Sequence, residues 1–352
     1  MHLSDIDYEL PDDLIAQHPV EPRDSARLLV ALDSLQHGVD GVQHRVVRDV
    51  VDYIRPGDVV VVNETRVLPS RVSLQRTSGG HVEVLLLEAL DDDQVDWEAL
   101  VRPGRKVRPD EVLLSDDGEE FLRIVGRSAA GDTFVVRMLR GDTADARRAA
   151  IRTVGAMPLP PYITAPLENS ARYQTVYANR EASAAAPTAG LHFTAELLAA
   201  VEAAGATVVP VELVVGLDTF KPVEADNPLD HVIHTERYVV PESTWAAVKS
   251  ARRVIAVGTT SCRALESAAT TGRLEGRTNL FITPGYDWKI VDVLMTNFHM
   301  PKTTLLLMVG AFVGDEWRDI YAEAVRQRYR FLSFGDAMLL GRRNGGVDDA
   351  SS

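Results

Sequence analysis

The sequence predicts an α/β fold interrupted by a small antiparallel β-barrel. Three observations carry this expectation. Asp58 to Val62 is a nearly continuous β-branched run, the pattern of a strand buried on both faces. From Val72 to Met138, short apolar runs such as Val82–Leu87 and Phe134–Met138 alternate with turn signals. These are Ser78-Gly79-Gly80, Asp91-Asp92-Asp93, Arg102-Pro103-Gly104, Asp116-Asp117-Gly118 and Ala130-Gly131-Asp132. Beyond Thr194, helical and strand patterns alternate, which indicates α/β layering.

Taken in chain order, Met1 to Asp13 is acidic and lacks an apolar core, which argues against a secretory signal. The Val59–Val62 strand precedes the barrel segment, and its companions follow it. The economical arrangement is a discontinuous α/β domain, residues 1–66 and 156–352. A barrel of roughly six strands is inserted at residues 67–155. Helices are expected over Thr194–Ala204, Ser243–Arg252 and Ser261–Thr270, and strands over Ala206–Val215 and Val254–Val257. Thr194 and Ser261 stand where N-caps are expected. The longest apolar run, Leu305–Val313, is too short to span a bilayer. The tail from Asn344 to Ser352 is small and acidic and is expected to be disordered.

Composition narrows the function. The chain has 352 residues, 45% of them hydrophobic, enough for more than one usual domain. Its net charge of -14 gives no long-range attraction for nucleic acid, so such a partner needs local basic patches. Three exist: Arg102, Arg105, Lys106 and Arg108; Arg147, Arg148 and Arg152; and Arg326, Arg328 and Arg330. The single cysteine, Cys262, excludes an intramolecular disulfide and a thiolate metal site. The chain has no glycine-rich phosphate loop, Walker pattern or zinc spacing, which disfavours a dehydrogenase, an NTPase and a Rossmann-type methyltransferase. No metal is implied, and a soluble cytoplasmic protein is the expected setting.

Two stretches concentrate the chemistry. Pro187-Thr188-Ala189-Gly190-Leu191-His192-Phe193-Thr194 and Asn297-Phe298-His299-Met300-Pro301-Lys302 each place a histidine just before an apolar helical pattern. A helix start leaves N–H groups unpaired, so such loops suit an anionic or polar ligand. His192 reads as a base, a donor or a satisfied loop residue. His299 reads as a general base near neutral pH. Lys302 is expected in the first turn of the next helix, a poor place for a cation unless it meets an anion. Val254 to Val257 followed by Gly258, Thr259, Thr260 and Ser261 is a strand ending in a polar loop that opens a helix, where ligands of open α/β sheets sit. Arg263 adds a fork for a carboxylate or phosphate. Asn63 and Arg66 follow another strand end, and Arg23 and Arg27 form a compact polar cluster that reads equally as surface or substrate grip. Tyr329 and Arg330 suit stacking on a base, a nucleoside or a sulfonium, whereas Phe331 and Phe334 read as core. Asp336, after Gly335, is less easily explained by packing.

In their order along the chain these motifs resemble the S-adenosylmethionine:tRNA ribosyltransferase-isomerase family of queuosine biosynthesis. The matching segments include Asp7–Pro11, Arg23-Asp24, Asn63-Glu64-Thr65-Arg66, Met157–Ile163, Arg172–Ala178, Pro187–Thr194, Val257–Ser261, Thr296–Leu306 and Gly335–Met338. The resemblance implies a barrel-like α/β domain carrying the inserted barrel. It also implies a reaction: the ribosyl part of S-adenosylmethionine passes to the aminomethyl group of a 7-deazaguanine at the tRNA wobble position and is isomerised, releasing adenine and methionine and leaving epoxyqueuosine. The tRNAs implied have G-U-N anticodons, and no membrane or obligate protein partner is implied. S-adenosylmethionine is then a ribosyl-donating substrate. Within that reaction His299 is the first candidate for the base that removes a C5′ proton, Asp336 the second, and His192 the donor that helps adenine leave. Pro187–Gly190 and the Gly258–Arg263 turn would hold S-adenosylmethionine, the turn taking the methionine carboxylate. Arg23, Arg27, Asn63, Arg66, Lys302, Tyr329 and Arg330 would touch substrate or tRNA.

The chain departs from the family's His-Val-Gly-Leu-Gly-Thr-Phe run, reading Val214-Val215-Gly216-Leu217-Asp218-Thr219-Phe220. Two other readings therefore stand beside the first. One is a paralogue using the same ribosyl chemistry on a free deazapurine or another small amine. The other is an inactive S-adenosylmethionine- or RNA-binding protein.

Overall fold

The computed structural model describes residues 1–33, 35, 39–128, 131, 133–216, 223, 225–231, 233 and 235–343. Of the departing Val214–Phe220 run, Val214 to Gly216 are described, whereas Leu217 to Phe220, with Asp218, lie outside the described residues, as does the tail from Asn344.

The chain opens with three 3₁₀ turns and two strands, β1 (Arg27–Ala31) and β2 (Gln43–Val46), followed by β3 (Asp58–Asn63) and the short β4 (Thr65–Val67). Six strands come next: β5 (Arg71–Arg76), β6 (His81–Ala89), β7 (Asp96–Arg102), β8 (Val112–Leu114), β9 (Glu120–Arg127) and β10 (Phe134–Met138). They pair in the order β5-β6-β7-β10-β9-β8, and antiparallel pairing of β8 with β5 closes the barrel. Alternate residues point inward, so Val72, Leu74, Val82, Val84, Trp97, Ala99 and Phe121 fill a separate core. Helix α1 (Ala144–Val154), capped by Thr143, plugs that core with Ile151. Then β11 (Gly155–Ala156) pairs with β5, so the two ends of the barrel segment lie side by side.

The remaining elements are β12 (Arg180–Ser183), α2 (Ala195–Ala203), β13 (Thr207–Leu213), β14 (Glu236–Val239), α3 (Glu242–Ser250), β15 (Arg253–Val257), α4 (Thr259–Thr271), β16 (Glu275–Thr278), β17 (Val293–Asn297), α5 (Thr304–Val313), α6 (Trp317–Arg326) and β18 (Ala337–Gly341). A nine-stranded mixed sheet runs β16-β14-β13-β3-β15-β17-β18-β1-β2. In its middle, β13, β3, β15 and β17 are parallel. Their alternating side chains enter two cores on opposite faces: Val59, Val61, Val254 and Ala256 on one, Val60, Val62, Ile255 and Val257 on the other. Such two-sided burial is why β3 reads as an unbroken apolar run. Helices α3 to α6 cover the first face and α2 the second.

Two local expectations are corrected. Gly258, not Ser261, caps α4; Ser261 lies inside the helix, fully buried, and its hydroxyl donates to Val257 O at 2.8 Å. Lys302 does not belong to the following helix: Thr303 caps α5, its side chain accepting from Leu306 N, and Lys302 stands before it at φ 58°. Thr194 caps α2 as expected, accepting from Leu197 N at 3.1 Å.

Candidate functional site

The carboxyl ends of β3, β13, β15 and β17 face the same way, the usual side for ligands in such sheets. A cavity opens there. Its wall combines Pro187, Thr188 and Ala189 from one loop, Gly258, Thr259 and Thr260 after β15, and Thr296 to Met300 from the end of β17 onward, with Tyr162, Leu305 and Ser333 among the rest. Gly258 adopts φ 89°, which turns the chain sharply between β15 and α4 and which a side chain would strain. The first N–H groups of α4 have no intrahelical partner, so this wall is polar although its floor is apolar.

The two histidine loops meet through Asn297. Its Oδ1 accepts from Thr188 Oγ1 at 2.9 Å. Its Nδ2 donates to His192 Nε2 at 3.3 Å and to Asp336 O at 3.4 Å. His299 lines the cavity, and its Nε2 shares a hydrogen bond of 3.0 Å with Thr296 Oγ1. Its backbone is fixed from both sides, N donating to Tyr321 Oη at 3.0 Å and O accepting from Tyr8 Oη. Burial pushes the His299 imidazole down to about 3, so it is neutral at physiological pH. Burial likewise pushes His192 down to about 4, against a hydrogen bond with the Arg23 backbone and with help from the Arg330, Arg172 and Arg23 charges.

The other predicted residues divide clearly. His192 stands behind Asn297, outside the cavity wall. Asp336 is buried away from the wall too; its carboxylate accepts the backbone N–H groups of Arg27 and Arg330 at 2.9 and 2.8 Å, and burial raises its proton affinity. Gly190 leaves room for Tyr177, whose Oη would lie 1.9 Å from an added Cβ. Arg263 lies on a second, adjoining cavity, paired with Glu236. Arg23 donates to Gln174 O and Ala171 O, and Asn63 Nδ2 to Leu213 O, so both brace loops and strands. Arg27 stacks 3.7 Å over the buried Tyr329 ring, whose hydroxyl meets His44. Arg330 donates to His18 O, Arg66 approaches Glu181 at 4.0 Å, and Lys302 pairs with Asp7 at 3.0 Å. None of these seven lines the cavity.

Sequence reasoning missed Tyr162, Thr296 and Ser333 as wall residues. Tyr162 Oη and Ser333 Oγ share a hydrogen bond of 2.7 Å that joins two segments far apart in sequence. No spacing signal links them; only the fold does.

The profile of the queuosine biosynthesis protein family matches residues 3–340. The chain belongs to this family. Relatives named S-adenosylmethionine:tRNA ribosyltransferase-isomerase include proteins of Symbiobacterium thermophilum (49% identical, covering 97% of this chain and 100% of the relative) and Rubrobacter xylanophilus (49%, covering 97% and 98%). The one from Thermotoga maritima is 44% identical, covering 97% of this chain and 100% of the relative. The crystal structure of an S-adenosylmethionine tRNA ribosyltransferase from Thermotoga maritima superposes with a TM-score of 0.53 at 35% identity, over 96% of this chain and 99% of that one.

Proposed function

We propose that this chain is an S-adenosylmethionine:tRNA ribosyltransferase-isomerase. It transfers the ribosyl moiety of S-adenosylmethionine to the aminomethyl group of 7-aminomethyl-7-deazaguanine at the wobble position of a G-U-N tRNA. Isomerisation gives epoxyqueuosine-tRNA, and adenine and methionine leave. The observation that carries the reading is the single cavity shared by Thr188, Gly258 and His299, at strand ends of a chain 49% identical to relatives of that name.

The sulfonium acidifies the ribose C5′ protons, so a modest base can begin the sequence. His299 is an imidazole on the cavity wall; burial keeps it unprotonated near pH 7 but also weakens it as a base, so bound substrate must raise its proton affinity for it to take the proton. Thr296 orients its ring. Asp336 and His192 act at one remove, holding the loops that carry the wall. The cytoplasm, where tRNA is modified, is the setting this reading requires.

The test is adenine release from S-adenosylmethionine with deazaguanine-containing tRNA, with the free deazapurine, and with neither. Release only with tRNA is expected. Release with the free base would transfer the reading to a small-molecule acceptor, and no release in any mixture would remove the enzymatic reading.

A further inference from the structure

The first cavity is not alone at these strand ends. A second adjoins it and shares Thr259, Thr260 and Leu305 as a common wall. It reaches from that wall to the buried Glu236–Arg263 pair; His231 and Thr304 also line it, and Leu213, Ile282 and Met308 give it an apolar side. Arg263 is held in place by donating from Nε to Leu280 O at 3.0 Å, and Glu236 accepts from Gly216 N. Thr260 is only 9% exposed, and its Oγ1 has no hydrogen-bond partner among the described residues.

Building on the function proposed above, we propose that this second cavity is the site of the amino-acid half of the donor, a zwitterionic α-amino acid carried on a sulfonium. The nucleoside occupies the first cavity and the sulfonium sits at the shared wall. The chemistry matches at each end. An α-carboxylate meets the Arg263 guanidinium, the free N–H groups of the α4 start and the Thr260 hydroxyl, all of which favour negative charge. An α-ammonium meets Glu236. The methylene chain runs along Leu213, Leu305 and Met308, where apolar burial favours it. A zwitterion sets its carboxylate against the guanidinium and its ammonium against the carboxylate, a match that an isolated carboxylate or amine lacks. Burying an Arg–Glu pair brings little stability by itself, so its presence on a cavity wall is better explained by recognition.

Three donors test this: S-adenosylmethionine, its decarboxylated form, and 5′-dimethylsulfonio-5′-deoxyadenosine, which lacks the whole amino acid. Adenine-release kcat/KM with acceptor tRNA should fall roughly 10- to 100-fold on losing the carboxylate, the scale of one lost charge-assisted contact. It should fall further for the truncated donor. In Arg263→Gln the preference for the carboxylate should shrink to about threefold or less by the same reckoning, mainly because S-adenosylmethionine itself becomes a poorer donor. Met308→Phe, which narrows the second cavity without touching the ion pair, should raise KM for S-adenosylmethionine and leave the truncated donor unaffected. Wild-type enzyme that uses all three donors equally overturns the proposal while leaving the enzymatic function standing. Wild-type enzyme that releases no adenine overturns the function instead. Calorimetric binding of S-adenosylmethionine against its decarboxylated form then still decides the second cavity, equal affinity counting against it.

Discussion

His299 is neutral because the fold takes its ring out of water, and no pattern in the sequence predicts that. The sequence identifies the imidazole; its proton affinity is set by burial. His299→Ala should lower adenine release about 100- to 10,000-fold, the range of a lost acid–base group, with calorimetric affinity for S-adenosylmethionine within a few-fold of wild type. Unchanged turnover would exclude it. The depressed affinities of His299 and His192 also set a stability profile. In the unfolded chain each takes a proton near pH 6.5, whereas in the folded chain they resist until about 3 and about 4. The unfolded state therefore binds more protons below pH 6.5, and stability falls as pH drops through that window. Urea midpoints at pH 7.5 and 5.0 should show a smaller loss for His299→Asn than for wild type. An equal loss in both proteins would mean that the ring titrates normally when folded. Asp336 illustrates the opposite difficulty: a polar residue in a motif reads as chemistry, yet its oxygens are spent on two backbone N–H groups.

At the scale of elements, the strands and helices around the site were legible because their burial is one-sided or two-sided in a regular way. The β3 run and the cap at Thr194 are direct consequences of side-chain chemistry. Ser261 was misread because a hydroxyl at a helix start can cap or bond back to a carbonyl, and the Gly258 turn decides which. The segment that leads into β17 depends on a contact no local pattern announces. Glu266, fully buried on α4, accepts the backbone N–H groups of Lys289, Ile290 and Val291 and the hydroxyl of Tyr286, all at 3.0 Å. Glu266→Ala leaves those donors buried without an acceptor and should cost about 3 kcal/mol or more in urea unfolding. Because β17 carries Asn297 and leads into His299, adenine release should fall with it. A loss under about 1 kcal/mol would show that water replaces the carboxylate.

The whole molecule carries a charge of -14, yet the proposed acceptor is a polyanion, and the three basic patches are not equivalent. In the 147–152 patch, Arg147 donates to Asp93 O, Arg148 pairs with Asp145 and Arg152 with Glu181. In the 326–330 patch, Arg326 pairs with Glu323, Arg328 with Asp13, and Arg330 donates to His18 O. Among the described residues, no ion pair involves Arg102, Arg105 or Lys106 on the barrel. Sequence alone weighs the three patches equally, because pairing partners come from distant parts of the chain. Arg102 also lines a groove with Pro160, Pro161 and Ile163, and the intervening Tyr162 lines the first cavity. The double variant Arg105→Ala/Lys106→Ala should weaken tRNA binding and reduce the slope of log K against log salt by about 1 to 2, one increment per lost phosphate contact. Affinity for S-adenosylmethionine should not change. A tRNA salt slope identical to wild type would shift the nucleic-acid footprint off the barrel, leaving the strand-end loops to bind the acceptor alone.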